Sequence, residues 1–181
     1  MRNMVATLAI GVAVLATSAA RAGDALLPAG LVFGNIDGGQ IALDDYAGQP
    51  LLVANTASLC GFAEQFIDLQ ALYDRHRAQG LVVLAVPSDD FNQELASEDE
   101  VAEYCSMTFG IDMPMTTITP VVGADAHPFF QWLAQEHGFA PGWNFNKVLI
   151  GADGRVLGTW GSSPRPDRGA IAAAVDASLG G

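Results

Sequence analysis

Cysteine is scarce in this chain: 181 residues hold two, Cys60 and Cys105. They stand 45 positions apart, which excludes both a C-x-x-C redox motif and a zinc-type ligand spacing. Basic residues are scarce too, eight Lys and Arg against 20 Asp and Glu. An acidic surface of that kind repels nucleic acid and anionic lipid. The three histidines, His76, His127 and His137, are scattered, and none shares ligand spacing with another His or Cys, so no metal centre is expected. No Gly-rich phosphate loop is present, since residues 34–39 contain no G-x-G-x-x-G, and no bound cofactor is expected. Internal repeats and a recognisable Ser-His-Asp pattern are also missing.

What remains describes one folded domain. Half of the residues are hydrophobic and 15% are charged, a balance suited to a packed core rather than to disorder. The first residues form a separate object. Arg2 supplies a positive start, Val5 to Leu15 an apolar run, and Ala20-Arg21-Ala22 a small-x-small cleavage pattern. The run is shorter than the roughly 20 residues a membrane span needs. Residues 1–22 are therefore expected to be a cleaved secretory signal, with 23–181 as the mature domain in the periplasm and no membrane attachment. Cleavage takes Arg2 and Arg21 from the eight basic residues and leaves six against 20 acidic ones, −14 formally.

The mature chain alternates strands and helices. Leu31-Val32-Phe33 and Gln40 to Leu43 flank an Asp37-Gly38-Gly39 turn, a hairpin signal. Leu51 to Ala54 and Leu81 to Val86 read as strands buried on both faces. Between them a helical pattern runs from Phe62 to Gln79. Ser97-Glu98-Asp99-Glu100 has the spacing of a capping box ahead of a second helix. A short strand is expected near Met115 to Val122, a helix from His127 to Gln135, strands at Lys147–Ile150 and Arg155–Trp160, and an Ala-rich helix from Asp167 to Leu179. Met107, Met113 and Met115 read as core fillers. This order predicts an α/β fold with one mixed central sheet, helices on both faces and an N-terminal β-hairpin. A thioredoxin-like sheet is the simplest arrangement of that kind.

Cys60 falls just past a buried strand, where a helix begins and Gly61 leaves the sulfur approachable. Thiol chemistry needs the thiolate, and unpaired N–H groups at a helix start favour it. A buried, inert thiol is the plain alternative. The surrounding residues add a resemblance. Asn55-Thr56-Ala57-Ser58-Leu59-Cys60-Gly61 resembles the N-V-A-S-x-C-G signature of the glutathione peroxidase family, with one change at Thr56. The similarity continues through Leu81 to Ser88, Gln93-Glu94, Ala126 to Phe130, and Trp143-Asn144-Phe145-Asn146-Lys147 to Gly154. It covers roughly residues 33–179.

The resemblance implies a catalytic tetrad of Cys60, Gln93, Trp143 and Asn144. Neutral N–H donors suit peroxide cleavage, because they stabilise the thiolate and the departing oxygen without adding charge. The loop bearing Gln93 departs from the family pattern: Asp89 to Leu95 is one residue short and lacks its Pro, which puts the aim of the amide in question. Cys105 has two readings. Val101, Tyr104, Cys105 and Thr108 share one helical face, which suits a core thiol, while thioredoxin-dependent members carry a resolving cysteine in this helix. The implied activity is reduction of hydrogen peroxide and organic hydroperoxides in oxidative stress defence. Its reductant would be a thioredoxin-like protein or glutathione, and the former suits so acidic a chain better. The stretch from His137 to Trp143 lacks the insertion that accompanies tetramers in some relatives, so the resemblance implies a monomer. A thioredoxin-fold redox carrier or binding protein with weakened catalysis is the alternative from another class.

Overall fold

A computed structural model describes residues 25–180; the expected signal segment lies outside the described residues. Strands β1 (Val32–Gly34) and β2 (Gln40–Ala42) form the expected hairpin, with Phe33 opposite Ile41. Gly38 and Gly39 take φ of 95° and 83° in its turn, a region closed to most side chains. The main sheet has the order β4-β3-β5-β6, built from β3 (Leu51–Thr56), β4 (Val82–Pro87), β5 (Lys147–Ile150) and β6 (Val156–Trp160). Strand β3 runs parallel to β4 and antiparallel to β5, and β5 runs antiparallel to β6. The sheet is mixed, as expected.

Alternation along the central strands divides the core in two. Leu52, Ala54, Val83, Ala85 and Leu149 face helices α1 (Gln65–His76), α2 (Glu98–Phe109) and α4 (Gly169–Leu179), meeting Phe66, Leu69, Val101, Ile171 and Val175. Leu51, Val53, Leu84, Val148 and Ile150 face the hairpin and helix α3 (Pro128–His137), meeting Phe33, Phe129 and Leu133. Ser97 caps α2, its Oγ accepting the Glu100 N–H at 3.3 Å. The His127 Nδ1 accepts the Phe129 N–H at 3.2 Å, and its ring stacks on Phe33, so this histidine starts α3 as read from His127-Pro128.

Several expectations need correction. No strand forms over Met115 to Val122: this segment meets β4 through an isolated Ala85–Met115 bridge and the Thr119 N–H to the Pro87 carbonyl. Pro114 and Pro120 have no N–H to extend a ladder, and the Thr116 and Thr119 hydroxyls both donate to the nearby Thr117 carbonyl. Helix α1 starts at Gln65 rather than Phe62 and ends at His76, with a 3₁₀ turn at Arg77–Gln79. Met113 and Met115 are buried, but Met107 is 81% exposed, because it lies on the side of α2 opposite Val101 and Cys105. Thr108 is exposed as well, so the buried stripe of α2 is narrower than its spacing suggests.

Candidate active site

The sheet topology brings three chain segments to one edge. Parallel β3 and β4 end together, with Thr56 opposite Pro87, and antiparallel β5 begins there with Lys147 opposite Ala54. The loops after β3 and β4 and the residues before β5 therefore meet beyond the strand ends, where open α/β sheets place their sites. These loops carry Cys60, Gln93 and Trp143-Asn144.

Asn55, at the end of β3, ties the edge together. Its Nδ2 donates to the Trp143 carbonyl at 3.0 Å, and its Oδ1 accepts the Asn146 N–H at 3.0 Å. Its backbone carbonyl accepts the Phe145 N–H at 2.6 Å. Phe145 has φ of 59°, a left-handed conformation costly for a bulky residue. Its buried ring packs edge-on to Phe66, centroids 5.3 Å apart, and this packing with the Asn55 bonds holds the kink.

Cys60 sits in the turn between β3 and α1, 6% exposed. The residues after it form successive three-residue turns, Ala63 N–H to Cys60 carbonyl, Gln65 N–H to Phe62 carbonyl and Phe66 N–H to Ala63 carbonyl, before α-helical bonding begins. The sulfur thus lies ahead of the α-helix rather than at its cap. The Phe62 N–H still points at it, with nitrogen 3.5 Å from Sγ. Gly61 has nothing near its α-carbon on the side a Cβ would occupy.

The shortened loop does not carry Gln93 away. Asn92 turns it with φ of 55°, and the Asp89 carboxylate accepts the Glu94 N–H at 3.1 Å. Asp90 holds the Val121 and Val122 N–H groups, fastening the loop to the segment beyond α2. The Gln93 carbonyl then accepts the Leu59 N–H at 2.9 Å, and its side-chain Oε1 accepts the Asn144 Nδ2 donor at 3.1 Å. Three of the four predicted residues are thereby linked: Gln93 binds the turn of Cys60 and the side chain of Asn144. Trp143 shares the edge, its ring against Phe91 with centroids 5.2 Å apart and 41% of its surface exposed.

Cys105 packs on α2 at 1% exposure, in the same core cluster as Cys60, and both are free thiols. Burial, together with the nearby Glu94 carboxylate, pushes its pKa up to about 12. The Ser58 hydroxyl, two residues before Cys60 in the chain, partly offsets that rise.

Two supporting groups escaped sequence reasoning. Glu94 is buried, its Oε1 accepting the Ser58 and Leu95 N–H groups, both at 2.9 Å. Lys147 is fully buried, its ammonium bound to Gln65 Oε1 and to the Ser162 and Pro164 carbonyls at 3.0 and 2.8 Å. Burial lowers the Lys147 pKa to about 7. A lysine within the otherwise apolar Val148-Leu149-Ile150 stretch was the available signal, because a charge in a strand covered on both faces needs partners.

Residues 31–134 match the sequence profile of the family described as glutathione peroxidase. This chain belongs to the glutathione peroxidase family. It is 40% identical over 136 residues to the glutathione peroxidase homolog BsaA of Halalkalibacterium halodurans, a match covering 72% of this chain and 87% of that one. The hydroperoxy fatty acid reductase gpx1 of Synechocystis sp. is 37% identical over 155 residues, 80% of this chain and 90% of that one. Among solved structures, the apo form of Trgpx superposes with a TM-score of 0.64 at 28% identity, covering 90% of this chain and 97% of that one. A structure described as a putative thiol:disulfide interchange protein DsbE from Chlorobium tepidum is 18% identical with a TM-score of 0.63, a likeness of the thioredoxin-like fold alone. Within this glutathione peroxidase fold, membership makes the protein a peroxidase that uses a thiol reductant.

Proposed function

We propose that the protein reduces hydrogen peroxide and organic hydroperoxides through Cys60. The carrying observation is the link from Cys60's turn through Gln93 to the Asn144 side chain, which lines neutral amides up at one sheet edge. The Cys60 thiolate attacks the nearer peroxide oxygen, an S–O bond forms and the O–O bond breaks. The departing oxygen takes a proton and leaves as water or an alcohol, with Cys60 as a sulfenic acid. With Oε1 occupied by Asn144, the Gln93 amide has its N–H donors to offer, and Trp143 adds an indole N–H. Leu59, 60% exposed, with Trp143 and the half-buried Phe91, gives the edge an apolar rim suited to the alkyl part of an organic hydroperoxide.

Cys105 acts as the resolving cysteine: it condenses with the sulfenic acid to a disulfide that a thioredoxin-like protein reduces. The burial of Cys105 in the same core cluster as Cys60 supports this role. The strong acidity of the chain favours such a partner over the anionic glutathione. The signal-like residues 1–22 support action in the periplasm, and a monomer serving oxidative stress defence completes the reading.

NADPH-coupled turnover with thioredoxin and thioredoxin reductase, and separately with glutathione and its reductase, tests the proposal in wild type and Cys60→Ser. Turnover is expected with the thioredoxin system and lost in the variant. Retained turnover in Cys60→Ser removes Cys60 from the mechanism.

A further inference from the structure

The segment after β6, from Gly161 to Asp167, lies outside every helix and strand, yet it is fastened at several points. Gln65 and Asp68 stand three residues apart on α1, as neighbours on one face. Gln65 Nε2 donates to the Ser162 carbonyl at 2.7 Å. The buried Asp68 carboxylate pairs with Arg165 and, at 3.6 Å, with Arg168. From β5, the Lys147 ammonium donates to the Ser162 and Pro164 carbonyls. Pro164 and Pro166 stiffen the stretch further. Ser162 is thus anchored by its backbone, with two donors on one carbonyl, and its hydroxyl is left for a different bond.

That bond leads to the candidate site. Ser162 Oγ accepts the Asn146 Nδ2 donor at 3.2 Å, and the same Nδ2 donates to the Trp143 carbonyl at 2.7 Å. The buried Asn146 also accepts the Gly142 N–H on its Oδ1 at 3.4 Å. Trp143 needs such ties. Its indole is exposed and rests on Phe91, so its place depends on the backbone that carries it. Two residues further on, Phe145 turns the chain through a positive φ that its surroundings must hold. Asn55 grips the Trp143 carbonyl from β3, and Asn146 grips it with Ser162 behind. Gln65, for its part, opens the helix that follows the Cys60 turn. Ser162 therefore joins the start of α1 to the backbone of Trp143.

We propose that Ser162 is a positioning residue of the peroxidase site: by tying the Asn146 amide to the start of α1, it fixes the Trp143 indole relative to Cys60. This rests on the reading of Trp143 as an N–H donor in the Cys60 reaction. Such a donor stabilises the departing oxygen only within hydrogen-bond distance of it, and a displacement on the order of 1 Å forfeits much of the effect. Losing the Ser162 hydroxyl releases the Asn146 amide from the anchored segment. The carbonyl bonds to Gln65 and Lys147 stay in place, so the segment itself keeps its seat.

The experiment measures the second-order rate at which the reduced protein consumes hydrogen peroxide in a single turnover, so that no reductant enters the comparison. Ser162→Ala should lower this rate about 10-fold. Its Tm should fall by only about 2–4 °C, the share of one hydrogen bond in a chain of this size. Ser162→Thr keeps the hydroxyl and should restore the rate. Asn146→Ala cuts the same link from its other end and should slow the protein at least as much; it carries the comparison should Ser162→Ala fail to fold. Trp143→Phe decides the route of the effect, and by itself should be about 100-fold slow. In that background Ser162→Ala should cost no more than about 2-fold further, because its effect passes through the indole, while its Tm shift persists. With Trp143→Phe slow, a wild-type rate in Ser162→Ala overturns the positioning role and leaves Trp143 as the donor. A loss of about 10-fold that survives in the Trp143→Phe background does the same. A wild-type rate in Trp143→Phe overturns the reading of Trp143, and the role of Ser162 with it.

Discussion

Replacing Asn55 by Ala tests whether this one side chain aligns the site edge. It removes the donor to the Trp143 carbonyl and the acceptor of the Asn146 N–H, both at 3.0 Å. The Trp143 carbonyl keeps a donor in Asn146 Nδ2 at 2.7 Å, but the Asn146 N–H loses the acceptor it has. Two hydrogen bonds at about 1 kcal/mol each, with about 1 kcal/mol more for the stranded N–H, give a loss of ~3 kcal/mol. For a chain of this size that lowers Tm by roughly 6–12 °C. Peroxide turnover measured at 20 °C, well below either transition, separates alignment from unfolding. A shift of the Trp143-Asn144 segment on the order of 1 Å should cost about 10- to 100-fold in kcat/KM. A variant with wild-type kcat/KM and Tm within about 2 °C of wild type would refute the account of Asn55.

Two further outcomes follow from the groups around this edge. Lys147 has a folded pKa of about 7 against an ordinary 10.5, so between these values the unfolded chain holds a proton at this position that the folded chain lacks. Its contribution to stability therefore rises with pH across that window, and urea midpoints at pH 7 and pH 9 should rise less in Lys147→Met than in wild type; parallel midpoints would count against it. Asn92 occupies a left-handed φ of 55°, so Asn92→Gly should hold its Tm while Asn92→Val loses about 1–2 kcal/mol of stability. Equal melting of the two variants would remove strain from the explanation of the shortened loop.

The large features of the fold were legible because they rest on local pattern. Continuous apolar runs announced β3 and β4, the Asp37-Gly38-Gly39 turn announced the hairpin, and Ser97 with Glu100 announced the start of α2. Where local pattern competed with backbone accounting it misled. Met115 to Val122 reads as a strand, but Pro114 and Pro120 leave it short of donors, and it meets β4 only through one bridge and the Thr119 N–H. The helical period from Phe62 onward is real, yet the turns after Cys60 close three residues apart, and α-helix begins only at Gln65. The residues of the candidate site could be named from the sequence, but not the bonds that join them to one another and to the sheet. Nothing in the spacing of Asn55, Glu94 or Lys147 says which backbone group each will bind, since those partners arrive from segments as far as 91 residues away.

That separation carries a consequence for biosynthesis. Asn55 and Cys60 leave the ribosome long before Trp143, Asn144 and Phe145, and the kinked backbone at Phe145 has no reason to form until β5 lies against β3. Until then the growing chain carries Cys60 and Gln93 without the Asn144 side chain that binds the Gln93 amide. The Gln93–Asn144 link at this edge therefore forms late, when the last strands of the sheet close over an already synthesised first half.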